Sequence, residues 1–167
     1  MKFAVGLLAL AAGLGGAGWA GYSWYASPSA DASANANAAK TIALAVASSN
    51  GTHAFQVEVA KSAGEQEKGL MFRTDIPDNG GMLFWPYPAG GGAPKEASFW
   101  MKNTPSPLDI IFIRANGTIA RIAENAIPED ETPISSGEPV GAVLELKGGR
   151  SSELGIAEGD KVTWTGK

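Results

Sequence analysis

Along the chain, apolar and polar residues first fall into a clear rhythm at His53–Ala60, where Phe55, Val57 and Val59 alternate with Gln56 and Glu58. A period of two marks a half-buried strand. Ser62 and Glu65 then stand at the spacing of a capping box, and Ala63, Gln66, Leu70 and Met71 share one face, which predicts a short helix ending near Met71. Four continuous or alternating apolar runs follow at Gly81–Trp85, Ala97–Asn103, Leu108–Arg114 and Gly141–Leu146, and Lys161–Trp164 closes the series. Turn signals separate them: Asp75–Gly80, Pro86–Pro94, Pro105 and Pro107, the hairpin pair Asn116-Gly117 leading into Thr118–Ala126, the acidic stretch Pro128–Pro139, and Gly148-Gly149. Ser151–Leu154 has room for one helical turn. Short strands broken by turns about every ten residues predict a mainly β sandwich or barrel with one short helix.

Upstream the rhythm disappears. Lys2 precedes an apolar run from Phe3 to Ala20, the layout of a secretory signal. Small residues place cleavage between Ala20 and Ala34. The competing reading is an uncleaved anchor, with Trp19, Tyr22, Trp24 and Tyr25 at the membrane interface. Residues 1–34 are thus expected to be signal or anchor, 35–52 a flexible linker of small polar residues, and 53–166 the folded domain. Thr41–Ala47 is apolar enough to be either a first strand or the end of the linker. The expected location is periplasmic or extracellular, with membrane contact only through an uncleaved N-terminus.

Composition removes several functions. The formal charge of -4 gives nucleic acid no basic face to bind. With no cysteine, disulfides, thiolate metal sites and thiol chemistry are excluded, and a single histidine speaks against a transition-metal site. The acidic stretch Glu129–Glu138 lacks the residue pattern of a calcium loop. No cofactor is expected. His53 sits at the edge of the linker, a poor place for a triad base. Ser98 and Lys102, four positions apart on one strand, would lie about 13 Å apart. The three glycines at 90–92 lack a following helix, so their segment reads as a mobile loop rather than a phosphate cradle.

The densest chemistry is Ser98–Asp109, SFWMKNTPSPLD. If the strand runs to Asn103, then Ser98, Trp100 and Lys102 face one way, and Trp100 beside Lys102 offers an apolar platform next to a cation. Asp109 and Glu145 are carboxylates inside apolar strands, which is costly without partners. Arg73 and Lys102 are the natural candidates, with Arg114 and Arg121 as others. The expected site is therefore a pocket for a small polar ligand, a saccharide or envelope fragment. Met82 and Trp100 form its wall, and Arg73, Lys102, Asn103, Asp109 and Glu145 its polar groups. Two alternatives stand beside it: a hydrolase with Asp109 and Glu145 as acid and base, which requires both in one open pocket, and a structural or interaction protein without a ligand site.

EQEKGLMFR (65–73), GMLFW (81–85), SFWMKNTPSPLDIIFI (98–113), VLEL (143–146) and GIAEGD (155–160) occur in that order. In this the chain resembles the Domain of Unknown Function 192 family, small and often exported prokaryotic proteins, from about Phe55 to Trp164. The resemblance implies one compact β domain of jelly-roll-like type and carries no activity with it. Pro86–Pro94 departs from the family pattern as an insertion-like loop.

Overall fold

The structure is a computed structural model that describes residues 41–167. The expected signal or anchor and the first part of the linker lie outside the described residues. The rest of the linker is not linker: Thr41–Ser48 forms strand β1, joined by a tight turn to β2 (Gly51–Ala60) in register from Thr41–Glu58 to Ser48–Gly51. Pairing on both sides, with β2 and with the C-terminal strand, compensates for the poor alternation of TIALAVAS.

The remaining elements are α1 (Ala63–Lys68), β3 (Gly80–Phe84), β4 (Lys95–Phe99), β5 (Leu108–Ile113), β6 (Ile119–Ala126), β7 (Ile134–Val140), β8 (Ala142–Lys147), α2 (Arg150–Leu154) and β9 (Lys161–Trp164). Seven strands form one sheet in the order β6-β5-β8-β3-β2-β1-β9, while β4 and β7 pair separately. The large sheet curls until its two edges meet at one end. There the Ile119 amide donates to Asp160 and the Val162 amide to Gly117, at 2.9 and 2.8 Å. The protein is mainly β, a curled half-barrel with two short helices among the described residues.

Two apolar clusters use the two faces of the sheet. Phe55, Val57, Leu83, Ile111, Ile113, Leu144, Leu146 and Trp164 fill the inside of the curl. Met82, Phe84, Leu108, Ile110, Phe112 and Val143 point the other way and are covered by Leu70, Ala97, Met101 and Val140. β5 is therefore buried at every position, which explains why LDIIFI reads as a near-continuous apolar run, interrupted by Asp109, rather than an alternating one. Glu145 pairs across the strands with Ile110 and Met82, so it occupies the second face, in the middle of an apolar layer.

Two elements differ from the expectation. β4 stops at Phe99, and Met101–Thr104 is a turn. The acidic stretch after Pro128 contains β7, whose Ser136 hydroxyl accepts the Ala97 amide at 2.9 Å and donates to Glu138 at 2.7 Å. Pro139 is accommodated because β7 lies in a two-stranded sheet, where a missing amide disrupts little.

Candidate functional site

α1 begins with the capping box that the sequence predicts. The Ser62 hydroxyl accepts the Glu65 amide, and the Glu65 carboxylate accepts the Ser62 amide at 2.8 Å. The helix ends at Gly69, whose φ of 48° and ψ of -134° disfavour any side chain. A methyl there would lie 3.1 Å from the Phe84 ring and 3.6 Å from Glu145 Oε2. Gly69 thus lets the backbone close over Glu145 without filling the space beside it.

That space is a cleft of about 380 Å3. Its walls are the end of α1 with Gly69 and Leu70, the Tyr87–Ala89 part of the Pro/Gly loop, and Ser98, Phe99 and Trp100 at the end of β4; Phe84 and Glu145 belong to its floor. Gln66 ties two walls together, its amide donating to the Pro86 carbonyl at 2.8 Å and to Ala60 at 3.1 Å. Phe99 packs edge-on against Phe84 at 4.9 Å between ring centres and lies 6.0 Å from Tyr87. Trp100 is nearly half exposed at the mouth.

Glu145 is 4% exposed. Burial pushes its carboxyl up to about 8, opposed only by the backbone N–H of Leu70, so the group is largely protonated at neutral pH. Its Oε2 has no hydrogen-bond partner. Among the described residues, Ser151 Oγ and Trp164 Nε1 share that condition, but neither lines the cleft. Burial also raises the Tyr87 phenol, and the Ser98 backbone partly offsets this.

Of the seven residues expected at the site, only Trp100 and Glu145 line the cleft. Asp109 is on the opposite face of the sheet, fully buried, with Oδ1 accepting the amides of Asn125 and Gly149 at 2.9 and 2.8 Å and Oδ2 that of Ser151 at 2.7 Å. It fastens the start of α2 to β5. Two carboxylates on opposite faces cannot act as acid and base on one bond, which removes the hydrolase arrangement. None of the expected cations, Arg73, Lys102, Arg114 or Arg121, pairs with either carboxylate: backbone amides satisfy Asp109, and Glu145 has no ion pair among the described residues. Arg73 instead pairs with Glu58 at 3.0 Å and Asp75 at 3.5 Å. Met82 is core. Lys102 lies 5.0 Å from the centre of the Trp100 ring and 4.0 Å from Glu131, outside the cleft. Asn103 adopts a left-handed φ of 53° and its carbonyl accepts the Phe72 amide at 2.7 Å.

The shared face of Ser98, Trp100 and Lys102 therefore does not exist, because the strand has ended. MKNT is a staple. Met101 donates its amide to Asp130, and Thr104 accepts that of Glu129 at its carbonyl, so the turn joins the segments at 70–73 and 127–131. Tyr87, Ser98 and Gly69 were not among the expected site residues. For Gly69 a signal existed, since a glycine just after a helix marks a special backbone. Tyr87 sits in the stretch read as a mobile loop, yet its amide donates to Gly141 at 3.0 Å.

Among the described residues no group of three His, Asp or Glu side chains converges to hold a metal ion. Residues 45–164 match the family model of Domain of Unknown Function 192, DUF192, described as an uncharacterized ACR. The chain belongs to this family. No curated protein matches it. Among solved structures, a protein of unknown function from Novosphingobium aromaticivorans is 46% identical, with a TM-score of 0.70 over 74% of this chain and 85% of that one. A Sinorhizobium meliloti protein provisionally described as a transcription regulator is 39% identical, with a TM-score of 0.70 over 76% of this chain and 95% of that one. Family membership thus fixes the fold and leaves the chemistry to the cleft.

Proposed function

We propose that this domain binds a small polar ligand with a flat ring face, a saccharide or envelope fragment, in the cleft between α1 and Trp100. One observation carries the reading: the unpartnered Glu145 oxygen at the floor of an open, aromatic-walled cleft. A buried polar atom without a partner costs about 1–3 kcal/mol. A ligand group that hydrogen-bonds it recovers that cost, while a ring stacks on Trp100. The volume suits a ligand of one or two sugar rings. The transcription-regulator description of the Sinorhizobium relative gains no support here. The two helices among the described residues have six and five residues, too short to span a major groove as a recognition helix does. Export by residues 1–34, to the periplasm or beyond, belongs to the same proposal, since envelope sugars are found there.

The test is a thermal-shift screen of the full chain against mono- and disaccharides. A ligand at a hundred times its Kd adds about 2.7 kcal/mol, roughly 10 °C for a domain of this size. Trp100→Ala is expected to abolish the shift, and Ser98→Tyr, at an exposed rim position, to block it sterically. Folded variants that keep every shift unchanged would contradict the site.

A further inference from the structure

Resting on that reading, we infer that the cleft selects a carboxylate-bearing sugar or sugar-like ring, with Glu145 acting as a hydrogen-bond donor rather than as an anion. Charged groups face the cleft from few of the surrounding elements. α1 contributes Glu67 and Lys68, and β4 contributes Lys95. The Pro/Gly loop contributes no titratable group but Tyr87, and of the strands beside β8 only β3 reaches the cleft, with the apolar Phe84; Met82 and Ile110, paired with Glu145, are core. None of Glu67, Lys68 and Lys95 takes part in an ion pair among the described residues, and both lysines are exposed at the mouth.

Burial in the apolar layer raises the Glu145 carboxyl to about 8, which favours its protonated form at neutral pH. Two lysines then face one ionised glutamate, and the balance at the mouth is positive. A protonated carboxyl with a free Oε2 offers an O–H donor, which pairs with an acceptor such as a carboxylate oxygen. An ammonium ligand has donors only, so it would leave the Glu145 O–H without an acceptor, and it would meet two lysines on entry. Trp100, Tyr87 and Phe99 give a ring somewhere to lie. Neutral floor, positive rim and aromatic wall together describe an acidic saccharide.

Calorimetric titration of the full chain with three probes separates the possibilities: digalacturonate, neutral lactose and putrescine. Digalacturonate is expected to bind at about pH 6–7 at least about tenfold more tightly than lactose. Above about pH 8 its affinity should fall by about tenfold per pH unit, because ionisation of Glu145 removes the donor and adds a repelling charge. Tyr87, raised by burial, stays neutral across this range. Glu145→Gln keeps a donor, so it should retain neutral-pH affinity within about threefold and flatten the alkaline fall. Lys68→Ala with Lys95→Ala should weaken digalacturonate by about tenfold and leave lactose unaffected. Loss of digalacturonate binding in a folded Glu145→Gln variant, or a preference for putrescine, would overturn the inference. Equal binding of lactose and digalacturonate, abolished by Trp100→Ala, would overturn the acidic class but keep the cleft as the site. Failure of all three probes to bind would overturn both.

Discussion

Asp109 and Glu145 are both carboxylates in buried strands one pairing apart, and their surroundings divide them. Asp109 accepts three backbone amides, two at Oδ1 and one at Oδ2, so both of its oxygens are satisfied. Asp109→Asn replaces one acceptor by a donor that faces an amide, and should destabilise the fold by about 2–4 kcal/mol, read as a lower denaturant midpoint with m unchanged. Glu145 has one amide and a free oxygen. Its carboxyl titrates at about 8 when folded against 4.5 ordinarily. Between those values the folded state therefore binds more protons than the unfolded one, and stability falls as pH rises through the window, levelling off above 8. The loss is on the order of a few kcal/mol. Thermal melts at about pH 5 and pH 8 should show a lower Tm at the higher pH, and Glu145→Gln should remove most of that difference.

At the scale of elements, the cleft is walled by the end of α1, the Tyr87–Ala89 segment and the end of β4, above a floor of Phe84 and Glu145. α1 has only six residues and relies on its cap, because a helix this short does not hold itself together. Ser62→Ala should cost about 1 kcal/mol and loosen the α1 wall, seen as faster amide exchange at Gln66–Gly69 with the β-sheet unchanged. Gly69→Ala should cost about 1–3 kcal/mol from its positive φ and crowd Phe84 and Glu145, weakening any ligand by at least about tenfold while the fold survives. These elements also mark where the sequence was legible. The capping box carries local chemistry and formed as read; Asn116-Gly117 does lie in a hairpin between β5 and β6, but in a three-residue loop, Ala115–Gly117, rather than a two-residue one. The end of β4 carries no such local signal: Trp100–Thr104 leaves the strand because Met101 and Asn103 bond to residues 130 and 72, partners no local pattern reveals. β7 was hidden for the same reason, its strand character coming from β4 rather than from ISSGEPV itself.

For the molecule as a whole, the mainly β class followed from strand spacing, whereas the curl did not. Closure depends on contacts between Gly117–Ile119 and Gly159–Val162, some forty residues apart in sequence, and on Gly81, where a Cβ would lie 2.2 Å from the Glu145 carbonyl oxygen. That close approach brings β3 against β8 and sets Glu145 beneath Gly69. The sequence singled out Trp100 and Glu145 by their chemistry, and the fold brought those two into one cleft while sending Asp109, Arg73, Lys102 and Asn103 to structural contacts. The central claim is that this cleft, and no other part of the surface, receives a small polar ring. An amide NMR titration of the full chain with digalacturonate tests it most directly. The account predicts saturable shifts at Gly69, Leu70, Ser98, Phe99 and the Trp100 indole, with Arg73, Asn103 and Asn125 unmoved. Shifts centred on those last three residues, with Gly69 and Trp100 silent, would contradict it.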